Sequence, residues 1–283
     1  MKSRIDPLIA ERAPWLHRPG LLSSLSRRPL ERALAYPATI ALASLLKDAS
    51  SREIMDAMAR RLARDVELTG LTNIPRSGAA LIVANHPTGI ADGIMLHHLI
   101  RRIRPDAFYY ANRDILRVLP QMADIIAPVE WREDKRSPAS ARETLQFTRK
   151  AVDAGRLGVI FPSGRLAKRR GLQLHERPWM ASAARLAKKF DLPVIPVHVR
   201  ARNSALFYLF DLIHPTLRDI TLFNETLNKD RQPFRLTVGE PISPSAIPAD
   251  PDKGIALLKQ ATMALAVPND SPFVYKRPIR RSA

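Results

Sequence analysis

The sequence contains no cysteine. Disulfides, cysteine nucleophiles and cysteine metal sites are excluded together, and the absence fits a reducing compartment. Long apolar runs are also missing: nothing reaches the roughly 18–20 residues that a membrane-spanning helix needs. The nearest, Ala33 to Leu46, is short and holds Pro37, so it reads as a core helix or an interfacial segment. Asp6, Glu11 and Arg12 interrupt any apolar stretch behind Met1-Lys2-Ser3-Arg4, and no signal peptide is expected. The Gly-x-Ser-x-Gly elbow, the phosphate-loop Gly-x4-Gly-Lys, Gly-x-Gly-x-x-Gly and His-Glu-x-x-His are all absent. That argues against a serine hydrolase of the elbow type, a nucleotide triphosphatase, a Rossmann dehydrogenase and a zinc protease of that class.

Acidic residues are scarce relative to basic ones: 27 Asp and Glu stand against 45 Lys and Arg, a net charge of +18. Such an excess speaks of partners rather than fold. Nucleic acid, an anionic membrane surface and phosphate-bearing substrates are the candidates. With aromatics at 6% and no recognised nucleic-acid motif, nucleic acid is not expected as a partner.

Residues 1–62 read as a helical, basic and potentially membrane-associating extension, broken by Pro7, Pro14, Pro19, Pro29 and Pro37. Helices are expected from Pro29 to Leu46 and from Ser51, as cap, to Arg64. A domain over 63–245 follows, and 246–283 supplies a closing helix and a basic tail from Lys276. Within the domain, Val66–Gly70, Ala79–Ala84, Ala107–Ala111, Ile125–Val129, Leu157–Phe161, Val194–Val199 and Phe234–Val238 read as strands. Helical patterns lie between them. The clearest is Pro138–Ala154, capped by Ser137 and followed by Gly155, with Ala141, Leu145 and Val152 as its buried stripe. A basic loop is expected between Phe161 and Trp179, Trp179–Phe190 and Ser204–Ile213 read as helices, and Pro251–Leu265 as the last helix. Alternating strands and helices predict an α/β fold: a mainly parallel mixed sheet flanked by helices, with the N-terminal helical extension.

The segment Ala84-Asn85-His86-Pro87-Thr88-Gly89-Ile90-Ala91-Asp92-Gly93 places an imidazole directly after a buried strand, where open α/β sheets bind ligands. Pro87 and Gly89 force a turn, and Asp92 is expected to begin a helix, so its carboxylate can fold back onto one ring nitrogen of His86. The other nitrogen is then free to take a proton. With no Ser or Cys beside it, such a pair suits a base that activates a substrate's own hydroxyl. The same residues also fit a plain turn, with Asp92 as a helix cap and His86 satisfied by backbone. His97 and His98 follow on a helix without clear carboxylate partners. They and His175, His198 and His214 read as packed or exposed, and no metal site is expected.

Taken with three further blocks in order, this segment resembles the phospholipid/glycerol acyltransferases, which include lysophosphatidic acid acyltransferases. The five residues between His86 and Asp92, with Asn85-His86-Pro87 before and Asp92-Gly93 at the end, are similar to the hemolysin-like bacterial branch. Tyr110 to Leu116, with Pro120 and Ala127-Pro128-Val129, resembles the second block. Gly158 to Arg165 resembles the third, a Phe-Pro-x-Gly turn in which Ser163 stands where the family carries Glu, and Arg165 follows Gly164 directly. Leu192 to Val197 resembles the fourth. The likeness runs from about Val66 to Pro241.

The resemblance implies an O-acyltransferase that moves a fatty acyl group from acyl-CoA or acyl carrier protein to the hydroxyl of a lysophospholipid or related lysolipid. It implies His86 and Asp92 as the catalytic pair and no cofactor or metal beyond that co-substrate. Arg113 is then placed near the acceptor head group, with Asn112 as cap of the helix there the alternative role for this stretch. Phe161, Pro162, Ser163, Gly164 and Arg165 form a candidate substrate turn, whose backbone N–H groups are candidate oxyanion donors. Lys168, Arg169 and Arg170 fit either a phosphate site or a solvated loop. Expected partners are the lipid acceptor, the thioester donor and an anionic membrane surface, with the protein peripheral on the cytoplasmic side. A non-catalytic lipid-binding relative, or acylation of a non-phosphorus lipid such as lyso-ornithine lipid, remains the alternative.

Overall fold

The structure is a computed structural model and describes residues 1–12, 35–130, 132, 135–171, 173–213, 221 and 225–266. His214, residues 29–34 of the first expected helix and the basic tail 276–283 lie outside the described residues.

The centre is a seven-stranded sheet in the order β1-β9-β8-β2-β5-β3-β4. The strands are β1 (Val66–Thr69), β2 (Ala80–Ala84), β3 (Phe108–Asn112), β4 (Ile126–Val129), β5 (Leu157–Ile160), β8 (Val194–Arg200) and β9 (Phe234–Val238). β8, β2, β5, β3 and β4 are mutually parallel. β9 runs antiparallel to β8 and carries β1 parallel to itself. The sheet is therefore mixed and mainly parallel, as the strand pattern predicts.

β2 is buried at every position. Its alternation sends Ala80, Ile82 and Ala84 into one core and Leu81 and Val83 into another, on the opposite face. The first core is covered by α1 (Lys2–Arg12), α3 (Ser51–Leu62) and α4 (Ile90–Ile100), through Ile5, Leu8, Ile54, Met55 and Ile94. Between α1 and α3, the described part of the first expected helix is α2 (Tyr36–Leu45). The second core is covered by α6 (Pro138–Asp153), α7 (Ser182–Lys189) and α9 (Pro251–Met263), through Ala151, Ala183, Ala187 and Leu258. A short α5 (Asp114–Val118) follows β3, and α8 (Ala205–Ile213) follows β8.

Four local expectations are corrected. Ser50, not Ser51, caps α3 in a reciprocal box with Glu53, while Ser51 is buried and donates to Asp124. On α6 the inward stripe is Thr144, Phe147, Thr148, Ala151 and Val152, whereas Ala141 and Leu145 are exposed. The threonines can turn inward because their hydroxyls are satisfied there: Thr144 donates to the Pro128 carbonyl, and Thr148 donates to the Thr144 carbonyl and pairs with Tyr110. The helix expected from Trp179 begins only at Ser182, because the Trp179 indole is drawn to a carboxylate described below. The basic loop contains a hairpin, β6 (Lys168–Arg170) with β7 (Gln173–His175), paired antiparallel around Gly171 at φ +61.

Candidate active site

Parallel strands place their carboxyl ends along one edge of the sheet. The ends of neighbouring β2 and β5 therefore bring His86 and Phe161 together. The side-chain amide of Asn85 fixes the first end. It donates to the Val199 carbonyl (2.8 Å) and accepts from the Val199 N–H (2.6 Å), locking β2 to β8. Gly89 then adopts φ +99, a backbone open to glycine at little cost.

Asp92 is the third residue of α4, two positions further in than expected. There its carboxylate caps the helix and reaches the imidazole at once. Oδ2 accepts from the Thr88 N–H (2.9 Å) and the Gly89 N–H (3.0 Å), and Oδ1 accepts from the Thr88 hydroxyl. The same Oδ2 lies 3.0 Å from His86 Nδ1, with the Asp92 side chain 0% exposed and that of His86 19% exposed. Asp92 is thus both the helix cap of one reading and the carboxylate neighbour of the other, while no backbone group satisfies Nδ1 of His86.

The Nδ1 atom stands within ion-pair distance, but the ring is turned off the line of a formed hydrogen bond. The ring stacks on Phe161 at 4.3 Å between centres and 26° between planes. Nε2, opposite Nδ1, is left as the proton-accepting nitrogen. A fully buried carboxylate on one side and partial exposure on the other suit a general base.

The turn after β5 is tighter than its expected role as a donor set requires. Gly164 donates its N–H to the Phe161 carbonyl (2.9 Å), and Pro162 has no N–H to give. Gly164 therefore supplies no oxyanion donor in this conformation. Ser163 is buried and donates to the Arg165 carbonyl (2.9 Å), while Arg165 is exposed.

Arg113 is not brought to His86. β3 is separated from β2 by β5, and the Arg113 guanidinium pairs with Glu143 of α6 at 3.0 Å, on the face away from α4. Asn112 accepts from the Asp114 N–H (2.9 Å) and caps α5, the alternative role weighed for this stretch. His97 has the carboxylate partner not foreseen for it, Asp56 at 2.9 Å. Among the described residues, no group of three or more His, Asp or Glu is placed to hold a metal.

Glu176 joins the two turns of the site. One carboxylate oxygen accepts from the His86 backbone N–H (3.3 Å) and the other from the Trp179 indole (3.0 Å), and Ser163 also hydrogen-bonds to it. It is the single carboxylate between Asp153 and Asp191 in a strongly basic stretch, a signal available in the sequence. Lys229 is the second unforeseen residue. Fully buried, it donates to Glu225 (3.0 Å) and to the Arg202 carbonyl (3.2 Å), and Asp92 is near enough to affect its titration.

The profile of the family described as Acyltransferase matches residues 65–200, a span that holds the His86 pair, the Phe161–Arg165 turn and Glu176. Over these residues the chain is similar to the acyltransferase family. A lyso-glycine lipid O-acyltransferase of Phocaeicola vulgatus is 25% identical over 206 residues, covering 70% of this chain and 72% of that protein. One of Bacteroides thetaiotaomicron is 24% identical over 202 residues, covering 69% and 72%. The crystal structure of the 1-acyl-sn-glycerophosphate acyltransferase of Thermotoga maritima superposes with a TM-score of 0.49 at 14% identity, over 86% of this chain and 95% of that one.

Burial pushes the Glu176 carboxyl up, against hydrogen bonds from Trp179, the His86 backbone and Ser163 that pull it down. The folded protein therefore holds a proton here at a pH where the unfolded chain has released it. The resulting stability is fully present below the ordinary carboxylate pKa and is lost as pH rises through the raised value. Glu176→Gln mimics the protonated form. Its urea midpoint should stay level across the window just above the ordinary carboxylate range, where that of the wild type declines. Equal slopes in the two proteins would refute the assignment.

Proposed function

We propose that this acyltransferase moves a fatty acyl group from a thioester, acyl-CoA or acyl carrier protein, to the hydroxyl of a lysolipid at the cytoplasmic surface of a membrane. The observation that carries this reading is the His86–Asp92 pair: an imidazole with its Nδ1 3.0 Å from a buried carboxylate and its other edge reachable from outside.

His86 Nε2 takes the proton of the acceptor hydroxyl while the hydroxyl oxygen attacks the thioester carbonyl. Asp92 orients the ring and stabilises the imidazolium as it forms. The tetrahedral intermediate then breaks its C–S bond, and the imidazolium returns the proton to the leaving thiolate. One ester forms and one thioester is lost, with no cofactor beyond the co-substrate and no acyl-enzyme.

The acceptor class is a lysolipid whose head group is an amino acid or a phosphate. The two relatives named for a lyso-glycine lipid favour the non-phosphorus branch. The basic excess of the chain serves the anionic bilayer and the acidic donor, and nucleic acid has no place in this scheme. Among the described residues no helix is long and apolar enough to cross a membrane, which fits attachment at the surface.

The test is thioester consumption by the purified protein with acyl-CoA and acyl carrier protein donors, against lyso-glycine lipid, lyso-ornithine lipid and lysophosphatidic acid. Turnover with one acceptor names the substrate. Lipid binding without turnover on any of them replaces this reading with that of a non-catalytic lipid binder.

A further inference from the structure

Helix α8 presents an apolar face to solvent. Ala205, Leu209, Leu212 and Ile213 recur at the spacing of one helical face and are all exposed, Leu209 by 51%, Leu212 by 81% and Ile213 by 62%. Phe207, on the opposite side, and Tyr208, at the flank of the stripe, are buried. An exposed stripe of Leu, Leu and Ile without a charge is costly in water unless something covers it.

Beside it lies the hairpin β6–β7, whose Lys168, Arg169 and Arg170 are all exposed. The Arg169 guanidinium sits 5.4 Å from the centre of the Tyr208 ring, tying hairpin to helix. Ala167, at the foot of the hairpin, donates its N–H to the His86 carbonyl (3.0 Å). The start of α8 is held by Ser204, whose N–H and hydroxyl donate to Glu225, the partner of Lys229. Ile90, exposed at the first turn of α4, adds an apolar side chain four residues from His86. The apolar stripe, the basic hairpin and the candidate base thus share one side of the molecule.

We propose that α8 and the β6–β7 hairpin form the face on which the protein docks to an anionic lipid bilayer, with Leu209, Leu212 and Ile213 entering the interface and Lys168, Arg169 and Arg170 meeting the head groups. This rests on the membrane-surface part of the proposed function. It places a point of attachment at the edge of the sheet that carries His86, beside the N-terminal helices, of which α1 spends Ile5 and Leu8 on the protein's own core while α2 keeps Leu45 exposed.

The chemistry selects a bilayer over a second copy of the chain. A two-fold contact through this face would set one Lys-Arg-Arg cluster against another, a like-charge juxtaposition that opposes pairing. An apolar helical stripe flanked by cations is what an anionic interface binds, through buried area and through attraction to its lipids. A helix of 9 residues is far too short to span a bilayer, so it lies in the surface.

The absence of cysteine supplies a clean test. Leu212→Cys and Ser77→Cys each give a single thiol for an environment-sensitive nitrobenzoxadiazole probe. Ser77 is exposed at the other end of β2 from His86. With vesicles of phosphatidylglycerol and phosphatidylcholine, the probe at position 212 is expected to shift to the blue and brighten, and the probe at 77 to stay as in water. Pure phosphatidylcholine vesicles, or added salt, should weaken the response. In co-sedimentation, Leu212→Glu with Ile213→Glu is expected to weaken partitioning to anionic vesicles by about tenfold or more. Turnover of a short-chain, water-soluble acceptor should stay within about twofold, because those side chains touch no reacting group.

An unshifted probe at 212, or unchanged sedimentation of the double variant, overturns the proposal. So does a wild-type dimer in light scattering that the double variant converts to monomer, since the face is then covered by a second copy. Loss of all turnover in the wild type with vesicle binding intact would count against the proposed chemistry and leave this face standing.

Discussion

Replacing His86 by alanine is expected to lower acyl transfer by about 10²–10⁴-fold, the contribution of one positioned general base. The fold should survive, because the His86 side chain is partly exposed and its backbone contacts with Glu176 and Ala167 do not depend on the ring. Circular dichroism and the urea midpoint of the variant check this in the same preparation. Asp92→Asn separates orientation from charge. The amide oxygen can still accept from Thr88 and Gly89, so the turn is kept while the imidazolium loses its counter-charge. Its turnover number should fall steeply with KM for the acceptor little changed, as for an interaction made mainly in the transition state. Wild-type turnover in His86→Ala would end the general-base reading, whatever the second variant does.

Lys229→Met is expected to destabilise the fold by about 3–5 kcal/mol, the range for a buried ion pair that loses one partner. Lys229 and Glu225 are both buried, 3.0 Å apart and one helical turn apart in sequence. Removing the cation leaves a buried carboxylate and the Arg202 carbonyl without it. Burial already pulls the Lys229 ammonium down, against the pull of Glu225 and then of Asp92. Adding Glu225→Gln to Lys229→Met removes the orphaned charge and should recover part of the lost stability in urea denaturation. Equal losses in the single and double variants would show that packing, and not the unpaired charge, sets the cost.

Much of this architecture is legible in local patterns. The apolar run Ala79–Ala84 announces a strand with both faces covered, and β2 is that strand at the centre of the sheet. The alternation that orders the other strands is local too, since each must present side chains to two cores. His86 and Asp92 lie six residues apart on one turn, so their meeting is decided by a short piece of chain with Pro87 and Gly89 in it. Their geometry follows from the segment almost alone.

What local pattern could not decide depends on partners distant in the chain. Arg113 and Phe161 each follow a strand end, yet only the order of strands in the sheet puts Phe161 on the His86 ring and sends Arg113 to Glu143. On α6 hydrophobicity favours Leu145 for the inward stripe, while hydroxyl bonds to Pro128 and Tyr110 allow threonine to face inward instead. Glu176 lies 90 residues from the backbone group it accepts from, and Lys229 lies far along the chain from Asp92. Local sequence settles the fold class, the central strand and the meeting of His86, the candidate base, with the Asp92 carboxylate, because those are set by neighbours within one turn or one strand. The tertiary structure alone decided which side chains surround that base and which face of the molecule is left apolar, because those follow from strand order and burial, which no short segment encodes.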